Sequence, residues 1–351
     1  GDVYKRQVLL PAEQMQQLQQ ALLAGARGFS LIPFRGDELQ ATIRQVHAAE
    51  VERRQRQPVQ APAPPVIEEP ASGQVITVCG IKGGIGRTFI AVNLAVALAQ
   101  ESREPVALVE GHAGLGDVAP MLNTHPIHTL ASLTTNPQEL DADLIRGALV
   151  PHPSGIQVLF AARDMEEGGR MTPDLLAAAI RQLRYITRYV VVDTASTADE
   201  MLGEALSLAD VALVVTTPEI SCLRRATLLV QAAQAEDFPS GKLQLLLNRE
   251  GIAGGISRSD ISQHLAVPIA AALPDDPALV TYSVNRGVPL MESHPKSLLA
   301  RRIWELARQL TTMAHQPAKA PPPLSEPEQP RGKATFRWPS LPKPLQFRRA
   351  W

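Results

Sequence analysis

Short runs of branched apolar residues alternate along residues 75–315 with longer segments in which apolar residues recur every three or four positions. The short runs predict buried strands of a parallel sheet, and the longer spacing predicts helices. Because the two kinds of segment alternate, the pattern predicts an α/β fold with a doubly wound, mostly parallel sheet. The predicted strands are residues 75–78, 106–109, 156–160, 189–192, 211–216, 243–247 and 268–273, and the clearest helical patterns are residues 89–98, 173–187 and 223–235.

A smaller alternating region precedes this domain. Residues 8–56 predict strand, helix, strand and helix, beginning with a short apolar strand at 8–10. Residues 1–7 do not resemble native protein sequence and can be back-translated to a sequencing adapter. We therefore leave them out of the fold prediction and expect the gene to be truncated at this point.

Proline-rich segments flank the main domain. Residues 57–74 contain prolines among small and acidic residues, which predicts an extended linker. Residues 316–351 predict a disordered tail whose final part mixes basic and aromatic residues and contains no acid. Its prolines forbid a continuous amphipathic helix. Two interpretations stay open for this tail, a peripheral contact with a membrane or partner and a merely solubilising role.

Composition excludes several other classes of protein. The formal net charge of −1 argues against strong non-specific binding of nucleic acid by the whole molecule. The cysteines Cys79 and Cys222 are far apart in sequence, which argues against a disulfide framework and against a zinc or iron–sulfur site. No apolar run approaches the length of a spanning helix, and no signal peptide is visible. The expected compartment is the cytoplasm.

The strongest chemical signal is the glycine-rich stretch at residues 79–88, CGIKGGIGRT. It lies between a predicted strand and a predicted helix, which is the context of a phosphate-binding loop. Glycines allow backbone N–H groups to close around phosphate oxygens, and the helix directs its positive end to the same place. Thr88 is the candidate ligand of Mg²⁺, and Arg87 supplies a cation that would face the phosphates. The alternative is a glycine-rich turn that binds nothing.

The order Lys-Gly-Gly-x-Gly-[Lys/Arg]-Thr at residues 82–88 resembles the deviant Walker A loop of the MinD/ParA ATPases. The loop departs from the usual phosphate loop because Ile81 replaces its first glycine and Arg87 replaces its lysine. The resemblance implies an ATP-dependent homodimer in which Lys82 reaches the partner's nucleotide. It also implies that ATP and Mg²⁺ are the cofactors. The implied nucleotide contacts in this region are Gly83, Gly84, Ile85, Gly86, Arg87, Thr88 and Phe89.

Acidic residues follow two of the predicted strands. Asp193 ends the apolar run at 189–192, where phosphate-loop proteins place the acid that orders the Mg²⁺ shell. Glu110 and His112 stand where the family usually has aspartates, and Asp117 is retained. In relatives the second of these acids lies near the attacking water, so His112 is the candidate for that position and a weaker base. A solvated loop histidine is the alternative.

A second group of residues matches the side of the family's site that binds the base. Asn248 follows the run at 243–247, and an amide has both the donor and the acceptor needed to read adenine. The resemblance extends, more weakly, to Arg249, Pro274 and Asp275. An ordinary turn after the strand is the alternative interpretation.

Further segments indicate a subgroup. Residues 24–34 resemble the end of a response-regulator receiver domain, with Ile32 in place of its lysine. This resemblance implies that residues 8–56 are a truncated, degenerate receiver used for docking or dimerisation, and a plain helical extension is the alternative. Residues 215–220, 223–226, 285–290 and 295–297 resemble the CpaE/TadZ-type ATPases of Flp pilus assembly. This resemblance implies pilus or secretion proteins as partners and a cytoplasmic location, polar or peripheral to the membrane. A DNA-partition ATPase is one rival, for which Arg224 and Arg225 are the only clear basic cluster in the domain. A nucleotide-binding scaffold without useful hydrolysis is the other.

Overall fold

A computed structural model describes residues 73–236, 238–265 and 267–314, together with two short strands near the N-terminus. Chain contacts divide the protein into two units, Gly1–Ile67 and Glu68–Trp351. In the first unit, β1 (Arg6–Pro11) and β2 (Ala26–Ile32) pair in parallel. The predicted strand at 8–10 falls inside β1. The predicted helices of this unit, residues 57–72 of the predicted linker and the predicted tail at 316–351 lie outside the described residues. The linker was predicted to extend to residue 74, but Gln74 begins β3.

The second unit contains eight further strands and a series of helices. In chain order they are β3 (Gln74–Cys79), α1 (Arg87–Ser102), β4 (Val106–Gly111), α2 (Val118–Met121), α3 (Leu130–Leu133), α4 (Ala142–Ala148), β5 (Val150–Pro151), β6 (Ile156–Leu159), α5 (Met165–Gly168), α6 (Pro173–Ile186), β7 (Tyr189–Thr194), α7 (Glu200–Ser207), β8 (Val211–Thr216), α8 (Ile220–Ala235), β9 (Leu243–Glu250), α9 (Arg258–His264), β10 (Ile269–Pro274), α10 (Pro277–Arg286), α11 (Leu290–Ser293) and α12 (Leu298–Ala314). Short 3₁₀ turns occur at Pro137–Glu139 and Ser240–Lys242.

The eight strands form one sheet in the order β10-β9-β8-β3-β7-β4-β6-β5. All neighbours are parallel except β5 and β6. The predicted α/β fold is confirmed, and each predicted strand corresponds to a strand of this sheet. The carboxyl ends of β3, β4, β7 and β9 therefore lie along the same edge, which is where open parallel sheets bind ligands.

Residues 112–170 depart most from the sequence pattern. Four short helices, α2 to α5, and the antiparallel strand β5 occur there, and none was predicted. Each is too short to show a full period of apolar residues, so the pattern carries little signal. Local capping defines three of these helices instead, because Thr129 accepts from the Ser132 N–H, Asp141 from the Leu144 N–H and Asp164 from the Glu167 N–H.

Apolar side chains are buried on both faces of the sheet. On β3, Ile76 and Val78 point into the core beneath α1 and α12, whereas Val75 and Cys79 point to the opposite face. Alternate residues of β3 therefore pack into the apolar cores on opposite faces of the sheet, as expected for a sheet covered on both sides. Burial raises the pKa of the Cys79 thiol to about 12, so it acts as a small apolar residue. Among the described helices, none is long and apolar enough to cross a membrane.

Candidate nucleotide site

The glycine-rich loop joins β3 to α1 at the carboxyl edge of the sheet. Gly84 and Gly86 have φ values of 76° and 90°, a left-handed conformation that side chains rarely adopt. A Cβ at Gly86 would also lie 2.6 Å from Nδ2 of Asn248. Gly83 and Gly84 are exposed, with open space around both. The loop therefore needs glycine for backbone shape and for close packing, and it leaves its outer side accessible.

Helix α1 starts without a cap from its own sequence. Its N-cap is Gly86, and no side chain bonds to the first backbone N–H groups. By contrast, α6 and α7 are capped by Thr172 and Asp199. The free N–H groups of α1 and the positive end of its dipole favour an anion at this place.

Asp193 and Thr88 meet below the loop. Asp193 is 1% exposed, and its Oδ1 has no hydrogen-bond partner among the described residues. Burial raises the pKa of Asp193 to about 6, while the neighbouring Thr88 hydroxyl and the Arg87 cation lower it. A buried carboxylate with an unpartnered oxygen beside a hydroxyl is a donor set that Mg²⁺ accepts. These two residues fit the cation that the sequence predicted for them.

Arg87 contacts the protein itself. Its Nη1 donates to the Thr194 carbonyl at 2.6 Å, and its Nε is buried without a partner. Burial lowers the pKa of Arg87, and the nearby charge of Asp193 raises it. The predicted phosphate contact of Arg87 stays a prediction. A phosphate would compete for the guanidinium as a charged acceptor, which forms stronger hydrogen bonds than a carbonyl.

Glu110 supports the following segment from inside the protein. It is 2% exposed, and its carboxylate accepts from the Ala161 N–H at 3.1 Å and the Val118 N–H at 3.4 Å. Burial raises the pKa of Glu110 to about 7 despite these bonds. A Cβ at Gly116 would lie 1.9 Å from its Oε1. Glu110 therefore anchors the turn that contains Gly116.

His112 is buried rather than solvated. Its Nδ1 lies 3.1 Å from the Gly114 carbonyl, so Nδ1 must be the donor and Nε2 the unprotonated nitrogen of the neutral ring. Burial lowers the pKa of His112, the bond to Gly114 raises it, and the Arg87 cation lowers it further. The alternative of a solvated loop histidine is not what the structure shows. The lowered pKa favours the uncharged ring.

The remaining predicted residues are divided between surface and core. Lys82 is half-buried and makes no hydrogen bond or ion pair within the described part of the chain. Ile85 and Phe89 have core side chains, so only their backbone can meet a ligand. Pro274 ends β10, and the Asp275 N–H donates to the Glu250 carbonyl at 3.1 Å. These two residues shape the loop beyond β10.

Three side chains hold the loop from outside. The Asn248 Nδ2 donates to the Ile85 carbonyl at 2.8 Å, and Nη2 of Arg249 donates to the Gly84 carbonyl at 3.2 Å. Nη1 of Arg225, on α8, lies 3.4 Å from the carbonyl of Ile81. The contact made by Arg225 was not predicted. Its position four to five residues into a helix gives no signal that it reaches a loop so far away in sequence.

A cavity of about 550 Å³ adjoins the site on the side of Glu110. The segment from Leu115 to Pro126, together with Arg163 and Asn285–Gly287, forms much of its wall. The glycine-rich loop lies outside it. The candidate phosphate site is thus an open surface at the sheet edge rather than part of this cavity.

Comparisons with known proteins agree with this geometry. No protein-family model matches the chain. It is 28% identical over 244 residues to the septum site-determining protein MinD of Synechocystis, covering 68% of this chain and 89% of that protein.

Solved structures show the same fold. A ParA-family ATPase of Chlorobium tepidum superposes with a TM-score of 0.63 at 25% identity, covering 68% of this chain and 99% of that one. MinD of Pyrococcus horikoshii, solved with Mg-ADP, superposes with a TM-score of 0.62 at 24% identity, covering 71% of this chain and 100% of that one. In its glycine-rich loop, in the sheet around that loop and in overall sequence, this chain is similar to the MinD/ParA family of P-loop ATPases.

Proposed function

We propose that this protein is a slow ATPase that forms a homodimer around ATP and Mg²⁺ and helps to position or assemble a Flp-type pilus or a related secretion machine. The observation that carries the ATPase part is the corner below the loop, where Asp193 leaves a buried oxygen unpartnered beside Thr88. The uncapped start of α1 adds an anion site directly above it. A structural relative was solved with Mg-ADP, which supports a nucleotide and Mg²⁺ as the ligands of this fold.

The role in pilus assembly rests on the resemblance of four segments to CpaE/TadZ-type ATPases, at residues 215–220, 223–226, 285–290 and 295–297. The DNA-partition alternative is less well supported by the surface. Arg225, one of the two residues of its candidate basic cluster, points its guanidinium at the Ile81 carbonyl. For the basic tail at residues 316–351, both interpretations stay open, a peripheral contact with a membrane or partner and a solubilising role.

We expect the protein to bind ATP about five times or more tightly than GTP. One N–H of the Asn248 Nδ2 donates to the Ile85 carbonyl, which fixes the amide, and we expect its Oδ1 to be the atom that faces the base. An oxygen acceptor matches the amino group of adenine and opposes the carbonyl that guanine carries at the same position. A competition titration with a fluorescent ATP analogue measures the preference. Equal affinities for the two nucleotides would disprove the assignment of Asn248 as the residue that reads the base.

Lys82→Ala should weaken ATP-dependent dimerisation about fivefold or more. Lys82 has no ion-pair partner within the described residues, and the loop that carries it is open to solvent at Gly83 and Gly84. A contact between the Lys82 ammonium and the phosphates bound by a second molecule would stabilise the dimer, and the monomer cannot make it. Light scattering with and without ATP measures the dimer. Lys296→Ala is the matched control, since it removes an exposed lysine elsewhere. Equal dimerisation of Lys82→Ala and wild type would contradict the role across the interface.

A further inference from the structure

Three carbonyls of the glycine-rich loop accept hydrogen bonds from side chains. Three donors approach them from the flank formed by α8 and the end of β9: Arg225 at Ile81, Arg249 at Gly84 and Asn248 at Ile85. We call these three donors the carbonyl clamp. Two of the three are guanidinium groups, although the acceptors are uncharged.

The clamp controls where the N–H groups of the loop point. In a planar trans peptide, the carbonyl and the following N–H lie on opposite sides of the chain. When the carbonyls of Ile81 and Ile85 face the clamp, the N–H groups of Lys82 and Gly86 face away from it. Successive N–H groups turned to one side form a concave site for an anion.

From this geometry we infer that Arg225 is a positioning residue for the nucleotide phosphates. It does not touch the phosphates in this proposal. It holds the Ile81 carbonyl outward, so that the N–H that follows is aimed at the ligand before the ligand arrives. Such preorganisation lowers the ordering cost of binding. The inference deepens the proposed function and rests on it only for the identity of the ligand.

The neighbouring arginine provides a close control. Arg224 and Arg225 are adjacent on α8 and both exposed, but only Arg225 reaches the loop. Arg224→Gln and Arg225→Gln therefore change the net charge equally and differ in the contact. A general electrostatic effect on nucleotide binding would appear in both variants and would weaken with added salt.

The first measurement is hydrogen exchange of the loop amides, residues 82–86, in the protein without nucleotide. Arg225→Gln should exchange about threefold to tenfold faster than wild type because the loop samples more conformations. Arg224→Gln should match wild type, and Arg225→Lys should restore part of the protection. Equal exchange in Arg225→Gln and wild type would overturn the proposal. This measurement does not depend on which ligand the protein binds.

The second measurement is the affinity for ADP by calorimetry. Arg225→Gln should raise the Kd about tenfold, the effect of losing one hydrogen bond from a charged donor. The ratio of ATP to GTP affinity and the melting temperature should stay unchanged, which separates positioning from base recognition and from loss of folding. Faster exchange with an unchanged Kd would show that the clamp holds the loop without aiding binding, and it would overturn the proposal. If wild-type protein binds no nucleotide, the proposed function fails even where the exchange result holds.

Discussion

Asp193→Asn should lower ATP hydrolysis about a hundredfold or more, because the carboxylate that holds the cation contributes to stabilising charge during phosphoryl transfer. Asparagine has nearly the same shape as aspartate, and in the free protein one oxygen of the Asp193 carboxylate makes no hydrogen bond within the described residues. The Oδ1 atom has no partner among the described residues, and burial raises the pKa of Asp193 to about 6. The variant should fold normally and lose the cation.

Asp193→Asn should affect thermal stability differently in the free protein and in the protein with Mg²⁺ and ATP. A carboxyl whose pKa is raised on folding is disfavoured in its charged form, so above pH 6 the free protein pays for keeping Asp193 ionised. Asp193→Asn removes that penalty, and its melting temperature without ligand should equal or exceed that of wild type. With Mg²⁺ and ATP, the wild type should gain stability that the variant does not.

A thermal melt with and without Mg²⁺ and ATP, together with a phosphate-release assay, measures both effects. Asp174→Asn, which alters an exposed acid in the first turn of α6, is the control and should leave both unchanged. Equal stabilisation of Asp193→Asn and wild type by Mg²⁺ and ATP would contradict the assignment of Asp193 as a cation ligand.

His112→Asp should raise ATP turnover about ten- to hundredfold, within the range that a positioned base contributes. In the wild type the ring is buried and neutral, its Nδ1 is committed to the Gly114 carbonyl, and Nε2 is the only basic atom left. An aspartate supplies the acid that the family resemblance implies at this position. The positive charge of Arg87, which opposes a histidine cation at this position, would favour a carboxylate.

His112→Asn separates charge from shape. It has the size of aspartate without the negative charge, so it should show no gain in phosphate release. The Kd for ATP should change little in either variant, because position 112 follows β4 rather than the glycine-rich loop. No gain in His112→Asp, or wild-type turnover as fast as in ordinary members of the family, would show that the attacking water lies elsewhere.

The fold followed from the sequence because it depends on local pattern. Continuous apolar runs such as 211–216 can be buried on both faces only inside a parallel sheet covered by helices, and the strand β8 has those bounds. The glycine-rich loop was equally local, since its glycines, strand and helix are contiguous. The order of residues along the chain contained that information.

The contacts that shape the site could not be predicted in the same way. Arg87 and Thr194 are 107 residues apart, and Arg225 and Ile81 are 144 apart. Which carbonyl a guanidinium reaches depends on how the strands are ordered and twisted in the sheet. The sequence of a single segment does not determine that order. The anchoring of the turn at Gly116 by Glu110 was also missed, although the two residues lie close in sequence, because nothing in the pattern indicates that the Glu110 side chain turns inward. The family pattern indicates only that an acid belongs near that place.

The outer strands of the sheet have a consequence for how copies of this protein can meet. β5 is two residues long and ends in Pro151, which has no N–H to offer a further strand. At the opposite edge, the pairing of β10 with β9 shifts register twice. Neither edge presents the long, regular row of main-chain groups on which sheets extend from molecule to molecule. Both edges therefore disfavour self-association by growth of the sheet from one molecule to the next.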